Sequence, residues 1–322
     1  MKTAWIGAAA LLSLMVANRV EGSAIYTIKD LGTLPGTNQS FATGINDLGQ
    51  VVGYSNNTSD GRTGNPRPFV YSNGQITSVS PIGGGIPNGI NDSGQVVGGP
   101  NTSINNSGQY VAVNPGHDGG FLVDGGITTS LDNFTPVAIN DSGVIAGQVR
   151  TQSGGMDPAI YKNGQVTDLV KTLGLNTLSG ESVAINKSGD VYFYYLDLKH
   201  GDQPYYSILK ADGQLIPAFY AAAMNKSNIL VGDYYYENGK TMTQLGGLLV
   251  PSSQSLWQGF RATAINDSGQ IVGMGVRSDG ETHAFLMTPV PSPEPSTLAI
   301  LAMGPAFLAL RSMARRVGRQ AD

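Results

Sequence analysis

"AINDSGQIVG", residues 264–273, is a stretch that the chain writes again and again. Near-copies stand at "GINDLGQVVG" (44–53), "GINDSGQVVG" (89–98) and "AINDSGVIAG" (138–147). Looser ones are "SINNSGQYVA" (103–112), "AINKSGDVYF" (184–193) and "AMNKSNILVG" (223–232). Asn and Asp side chains bond their own backbone, and Gly accepts the positive φ that ends such a turn. Each copy therefore reads as two short β-runs joined by a tight turn. The ten letters are one hairpin.

The hairpin belongs to a larger unit, seen in full at 41–80: "FATGINDLGQVVGYSNNTSDGRTGNPRPFVYSNGQITSVS". After a polar loop comes "PFVYS", then Asn73-Gly74, then "QITSVS", and Asn-Gly between apolar runs is a strong hairpin signal. The unit is four short antiparallel strands. Third and fourth strands recur at "FLVDGGITTSL" (121–131), "AIYKNGQVTDL" (159–169), "YSILKADGQLIPAF" (206–219) and "YYYENGKTMTQL" (234–245). The last unit has "HAFLMTPV" (283–290) and no fourth strand, yet the body opens with "YTIKDLGTL" (26–34), which is similar to the internal fourth strand "QVTDLVKTL" (165–173). A chain that begins with the strand its last unit lacks is a ring closed by its own ends.

Repeats of about 40 residues with four strands each are β-propeller blades. The fold expected is all-β: a β-propeller of four-stranded blades, closed by the N-terminal strand. Third strands count six blades, whereas first hairpins count seven, because Ile90 and Ile104 are only 14 residues apart. Six is favoured, with the doubled hairpin as an insertion or stunted blade, and seven stays open. A β-solenoid is the competing fold, but its tail would not need completing by its head.

"DLGTLPG", "ATGINDLGQVVGYS" and "THAFLM" resemble the HAF family of bacterial extracellular repeats, named for the triplet that stands here as His283, Ala284 and Phe285. The resemblance covers about 25–290. It implies an exported repeat protein and no particular activity.

The ends read as addresses. Residues 1–24, with Lys2 ahead of an apolar run and then small residues, have the layout of a secretory signal peptide. Residues 291–322 hold Pro293, Glu294 and Pro295, then an apolar stretch interrupted by Pro305, then Arg311, Arg315, Arg316 and Arg319. The apolar stretch is short for a stable span, and the arginines hold it at the cytoplasmic side, so the tail makes a temporary stop in the membrane. This order resembles the PEP-CTERM sorting signal. The resemblance implies recognition by an exosortase-type membrane protease and transfer to the cell surface or extracellular matrix. Whether the tail is cut off or kept as an anchor stays open.

With no cysteine, the exported body at 25–290 relies on burial and hydrogen bonding alone. Six of the 19 Lys+Arg and three of the 23 Asp+Glu lie in the end segments, which leaves the body at −7. That scattered acidity argues against a nucleic-acid partner.

Chemistry is sparse. The three histidines, His117, His200 and His283, are not spaced as metal ligands, and no nucleophile elbow, zinc helix or phosphate loop occurs, so no cofactor and no metal is expected. The turn carboxylates read as turn formers, because each turn carries a single Asp and "INKSG" replaces it with Lys. On a propeller the tight turns share one face and the longer loops between second and third strands share the other. Loops on a rigid scaffold commonly carry binding. Arg62, His117, Asp118, Arg150, Asp157, Lys199, His200, Asp202, Arg277, Asp279 and Glu281 gather there as ligand candidates. Nine of the 14 tyrosines lie between Tyr192 and Tyr236, and of these Tyr194, Tyr206 and Tyr235 are candidates for stacking on sugars. First strands line the central opening and bring only Glu181 and Arg261 as charges there. Together these point to a non-enzymatic surface or matrix protein binding a polysaccharide or another envelope component. The alternative is a carbohydrate-active enzyme of propeller type, a glycosidase or lyase, which requires convergent acid and base groups.

Overall fold

Every copy of the Asn-turn joins two antiparallel strands. The computed structural model describes residues 26–57, 65–114, 119–152, 154–175, 177–197, 204–237, 242–254 and 256–290. Residues 1–24, read above as a leader, the end segment with Pro293, Glu294 and Pro295, read as a sorting tail, and the loop residues Arg62, His117, Asp118, Lys199, His200 and Asp202 lie outside them.

Six antiparallel four-stranded sheets follow one another as blades. Blade 1 is Gln39–Ile45, Val51–Asn56, Arg67–Ser72 and Gln75–Ser78. Blade 2 is Ser103–Ile104, Tyr110–Val113, Gly120–Asp124 and Ile127–Leu131. Blade 3 is Phe134–Ile139, Ile145–Arg150, Met156–Lys162 and Gln165–Asp168. Blade 4 is Thr177–Ile185, Val191–Asp197, Pro204–Leu209 and Leu215–Ala218. Blade 5 is Ala223–Met224, Leu230–Val231, Tyr234–Tyr236 and Thr243–Gln244. Blade 6 takes Trp257–Ile265, Ile271–Arg277 and Thr282–Pro289, and its fourth strand is Tyr26–Asp30. The chain is a six-bladed β-propeller.

The doubled hairpin is the stunted blade. Its strands, Pro87–Ile90 and Val96–Gly98, form a two-stranded sheet next to blade 1, with Thr43 Oγ1 donating to the Pro87 carbonyl at 2.7 Å. Residues 81–86 cover its outer edge: Ile82 bridges Val97 in parallel, and a Cβ on Gly98 would lie 2.4 Å from the Gly84 carbonyl oxygen. A segment preceding the hairpin thus takes the place of two missing strands and hides an edge open to mispairing. Six blades and seven inner hairpins are both correct counts.

Closure occurs where the repeat phase requires it. Tyr26 pairs with Pro289, Ile28 with Met287 and Asp30 with Phe285, and the Leu31 N–H donates to the Ala284 carbonyl at 3.0 Å. Leu31 and Leu34 then pack with Ala42, Val51 and Phe69 of blade 1 and Val272 and Ala284 of blade 6. The core is a series of such layers between neighbouring blades. The His-Ala-Phe triplet acquires a physical sense here: Phe285 is fully buried, and His283 Nδ1 lies 2.9 Å from both Asp30 carboxylate oxygens, tying the last blade to the closing strand.

Two glycines of the hairpin are required by geometry. Opposite Gly273 the first strand bulges between Ala262 and Ala264, and a Cβ would sit 2.0 Å from the Arg261 carbonyl oxygen. Gly269 ends its turn at φ 78. Replacing Gly269 by Val is expected to cost roughly 1–3 kcal/mol through backbone strain. Ser268→Ala on the exposed side of that turn is expected to cost under about 0.5 kcal/mol. Thermal melts of the two variants check this, and equal small losses would contradict the turn geometry.

Candidate functional site

The seven inner turns converge on one mouth of the central channel, a concavity of about 220 Å³. Their leading asparagines, Asn46, Asn91, Asn105, Asn140, Asn186, Asn225 and Asn266, are all buried. Each points its Nδ2 at the backbone carbonyl of the next asparagine round the ring. Asn46 donates to Asn91 at 2.9 Å, Asn91 to Asn105 at 3.1 Å and Asn105 to Asn140 at 3.0 Å. Asn140 donates to Asn186 at 3.1 Å, Asn186 to Asn225 at 3.3 Å, Asn225 to Asn266 at 3.2 Å, and Asn266 back to Asn46 at 3.0 Å. The circle has no gap. Each Oδ1 meanwhile accepts one or two N–H groups of its own turn, so one amide both shapes a hairpin and locks it to its neighbour.

The residues after these asparagines form a second tier. The Asp47 N–H donates to Asp92 Oδ1 at 2.9 Å, Asp92 to Asn106 at 2.8 Å and Asn106 to Asp141 at 2.9 Å. Lys226 donates to Asp267 and Asp267 to Asp47, each at 2.9 Å. The two remaining links fail because Lys187 and Lys226 present no side-chain acceptor. Lys187 instead extends over the mouth. Its ammonium contacts Asp47 and lies 3.3 Å from Asp267 and 3.7 Å from Asp141. Burial works to raise the Asp47 carboxyl, but hydrogen bonds from Lys187 and the Asp267 N–H, with the nearby lysine charges, hold it below its ordinary 3.8. The hydrogen bond to Asp47 holds the Lys187 ammonium above its ordinary 10.5, against the opposing cost of burial.

First-strand reading alone missed this ring of charge. It placed Glu181 and Arg261 in the opening, and the ladders do set these two at equivalent positions, opposite Tyr194 and Met274. The charge of the mouth comes from the turns. Four carboxylates (Asp47, Asp92, Asp141, Asp267) and two ammoniums (Lys187, Lys226) face one another there. Among the described residues no set of His, Asp and Glu is arranged to hold a metal.

The depressed carboxylates fix an acid limit. Asp30 is also held below 3.8: burial opposes this, but hydrogen bonds from His283 and the Gly32 N–H and the His283 and Arg277 charges outweigh it. Asp190 is lowered too, where burial is outweighed by hydrogen bonds from Lys210, Ala211 and Asn228. Asp157 goes the other way, raised by burial and then by Asp168. A carboxyl lowered on folding stabilises above its unfolded value and loses that contribution as pH falls through its folded value. Tyr26, which burial pushes up from 10.0 to about 12, works in the opposite range. The melting temperature is expected to hold at neutral pH, to fall as pH drops below about 3.8, and to fall again above about 10. Melts across pH check this.

The opposite face carries the long loops. Arg277 pairs with Asp30 at 3.2 Å and with Asp279 at 3.0 Å, and Glu281 lies 3.6 Å from His283 Nε2. Arg277, Asp279 and Glu281, read as open ligand groups, are engaged around the closing strand. Arg150 is exposed and donates to the Gly154 carbonyl, and Asp157 is buried. Tyr235 is corrected from a surface candidate to a core residue: it is 3% exposed and meets Tyr26 edge-on. Tyr194 and Tyr206 are half-buried and tilt against each other at 5.7 Å. Tyr220 and Tyr234, which sequence reading did not single out, are 55% and 42% exposed.

Between blades 5 and 6 this face holds a cleft of about 620 Å³, lined by Asp233, Tyr234, Gln244, Trp257, Gln258 and Phe260 among others. The volume falls in the range of small-molecule sites. Trp257 and Phe260 lie 5.9 Å apart, and the amides of Gln244 and Gln258 border the same space. Of the rings, Trp257 is buried in the core, Phe260 is half-buried and Tyr234 is exposed, so two partly open aromatic rings share a mainly polar space with two amides and the Asp233 carboxylate.

No protein-family profile and no curated protein matches the chain. Among solved structures it is similar to the subtype N11 neuraminidase-like protein of A/flat-faced bat/Peru (H18N11), at 12% identity and TM-score 0.40, covering 84% of this chain and 96% of that one. It is similar to the lectin of Aleuria aurantia in complex with Fucα1-6GlcNAc, at 10% identity and TM-score 0.35, covering 85% and 98%. It is also similar to the β-propeller domain of the Trilobed protease from Pyrococcus furiosus, at 9% identity and TM-score 0.38, covering 79% and 86%. Likeness at this level bears on neither ligand nor activity.

Proposed function

We propose that this propeller is an exported, non-enzymatic protein of the cell surface or extracellular matrix that binds a polysaccharide, and that an exosortase-type membrane protease sorts it by its tail. The observation that carries the binding reading is the cleft of Tyr234, Phe260, Gln244 and Gln258, where an exposed and a half-buried ring meet neutral amides at a blade interface backed by the buried Trp257. Such rings stack on sugars, while amides orient their hydroxyls. The usual glycosidase arrangement places two carboxyl groups on either side of one bond across an open space. The cleft brings only Asp233, and the mouth carboxylates are committed to backbone N–H groups and Lys187. The leader and tail support export and sorting from the sequence side.

The test is retention of the protein on immobilised exopolysaccharides, with reducing ends assayed in parallel. Binding without new reducing ends is expected, and Tyr234→Ala with Gln258→Ala is expected to weaken it about tenfold. Release of new ends, abolished by Asp233→Asn, would replace binding with an enzyme. The intact mass of the exported product is expected to start near residue 25 and to lack the arginine-rich end.

A further inference from the structure

The cleft between blades 5 and 6 does not stop at Phe260. On the far side of that ring lies a second concavity of about 350 Å³, lined by Phe41, Gly259, Arg261, Met274 and Val276 among others. Gly259 and Phe260 line both spaces, so the two concavities adjoin at this point of the first strand of blade 6, one on the blade 5 side and the other on the blade 1 side. Gly259 sits at the join: a Cβ there would meet nothing within 4 Å, and its φ lies outside the left-handed region. Backbone geometry does not demand glycine, and with no side chain Gly259 puts no bulk at the join.

The two concavities differ in charge. In the larger, the charged group is Asp233, and in the smaller it is Arg261. The other described arginines are engaged: Arg67 donates to the Pro35 carbonyl, Arg150 to that of Gly154, and Arg277 pairs with Asp30 and Asp279. Arg261 is exposed, and its guanidinium makes no hydrogen bond or ion pair among the described residues. Its ladder position is held by Phe41 in blade 1, Thr135 in blade 3 and Glu181 in blade 4, so the repeat itself does not call for a cation there. An idle guanidinium beside Phe41, Phe260 and Met274 is a planar fork against apolar walls. That arrangement recognises a carboxylate with two parallel hydrogen bonds. The body as a whole is acidic, but fields from beyond about 8 Å are largely screened at physiological salt, so the local charge decides.

We propose that the two adjoining concavities select an acidic heteropolysaccharide. The carboxylate of one sugar sits on Arg261, and the adjoining neutral sugar lies along Phe260 and Tyr234 at the Asp233 end. This rests on the binding reading above and adds the class of ligand and its direction.

The test is titration calorimetry of the full chain against three polymers at two salt concentrations. They are dextran (neutral), polygalacturonate (all uronate) and hyaluronan (uronate alternating with a neutral N-acetyl sugar). Hyaluronan is expected to bind about tenfold more tightly than either of the others, with an advantage that shrinks at high salt. Arg261→Gln is expected to lower hyaluronan to the dextran level, and Arg261→Lys to recover only part, because a point charge does not replace the fork. Gly259→Leu is expected to abolish binding of all three while the melting temperature stays unchanged. Equal binding of dextran and hyaluronan, indifferent to Arg261→Gln, would overturn the acidic selectivity and leave a glycan-binding propeller standing. Polygalacturonate binding as tightly as hyaluronan would overturn the neutral subsite. Binding to none of the three or to any exopolysaccharide would remove the binding reading itself, and binding that survives Gly259→Leu would place it elsewhere on the molecule.

Discussion

Deletion of residues 26–34 is expected to turn a soluble protein into one that aggregates. The segment buries Tyr26, Leu31 and Leu34 to 5% exposure or less. Each large apolar side chain contributes about 1.5–3 kcal/mol on full burial, so their loss alone rivals the 5–15 kcal/mol that holds a typical domain folded. The deletion also strips the ladder from the strand Thr282–Pro289 and uncovers Phe285 and Met287. A bare edge strand beside exposed apolar side chains is a template for pairing with other chains. His283, now 6% exposed, loses the Asp30 carboxylate opposite it. Light scattering and size-exclusion chromatography check the outcome. A deletion product that stays compact and soluble would mean that the last blade does not need the first strand.

Asn266→Ala is expected to be the most damaging change of a single small side chain. The amide is 4% exposed and makes four hydrogen bonds. Its Nδ2 donates to the Asn46 carbonyl at 3.0 Å and to Gln270 Oε1 at 2.8 Å, and its Oδ1 accepts the Ser268 and Gln270 N–H groups at 3.1 and 2.8 Å. Truncation leaves buried partners unpaired, which costs more than the bonds are worth in net terms, so a loss of roughly 3–5 kcal/mol is expected. The bond to Asn46 also joins residues 220 apart and so spans the closure of the ring. Asn266→Asp separates the two duties of the amide. It keeps the acceptor for the turn but sets a carboxylate against the Asn46 carbonyl, so at neutral pH it is expected to destabilise nearly as much as alanine. Melting temperatures check both variants, and a loss below 1 kcal/mol for each would mean that the ring of asparagines is incidental.

Much of this architecture was legible because its causes are local. Asn-x-Ser-Gly fixes a turn within four residues, and the missing fourth strand of "HAFLM" together with the spare "YTIKD" revealed the closure. The mouth was not legible in the same way. Four of the seven turns bring one carboxylate each, and only closure of the ring assembles Asp47, Asp92, Asp141 and Asp267, which lie tens to hundreds of residues apart. Lys187, which looked like a flaw in the repeat, is the counter-ion of that assembly. A signal for it was present: the first Asn stands in all seven copies, including the degraded "AMNKSN", while the second position varies among Asp, Asn and Lys. A turn alone tolerates Asp or Ser at that first position. Constant Asn implies a side chain that must donate as well as accept. The loop charges misled for the opposite reason. Arg277, Asp279 and Glu281 read as a free polar loop, but the closing strand brings Asp30 and a buried His283 beneath them.

Ring closure by the N-terminal strand is tested most directly by a disulfide across it. The chain contains no cysteine, so an introduced pair has no competing partner. Thr27 and Thr288 stand opposite each other in the ladder although 261 residues separate them, and neighbouring antiparallel strands meet the spacing that a disulfide requires. Mild oxidation of the Thr27→Cys, Thr288→Cys double variant is expected to yield a folded product of unchanged monomer mass, whose digest contains one peptide joining the two ends. Neither single variant is expected to form it. A folded double variant that never links within one molecule, or that links only between molecules, would contradict the closed ring.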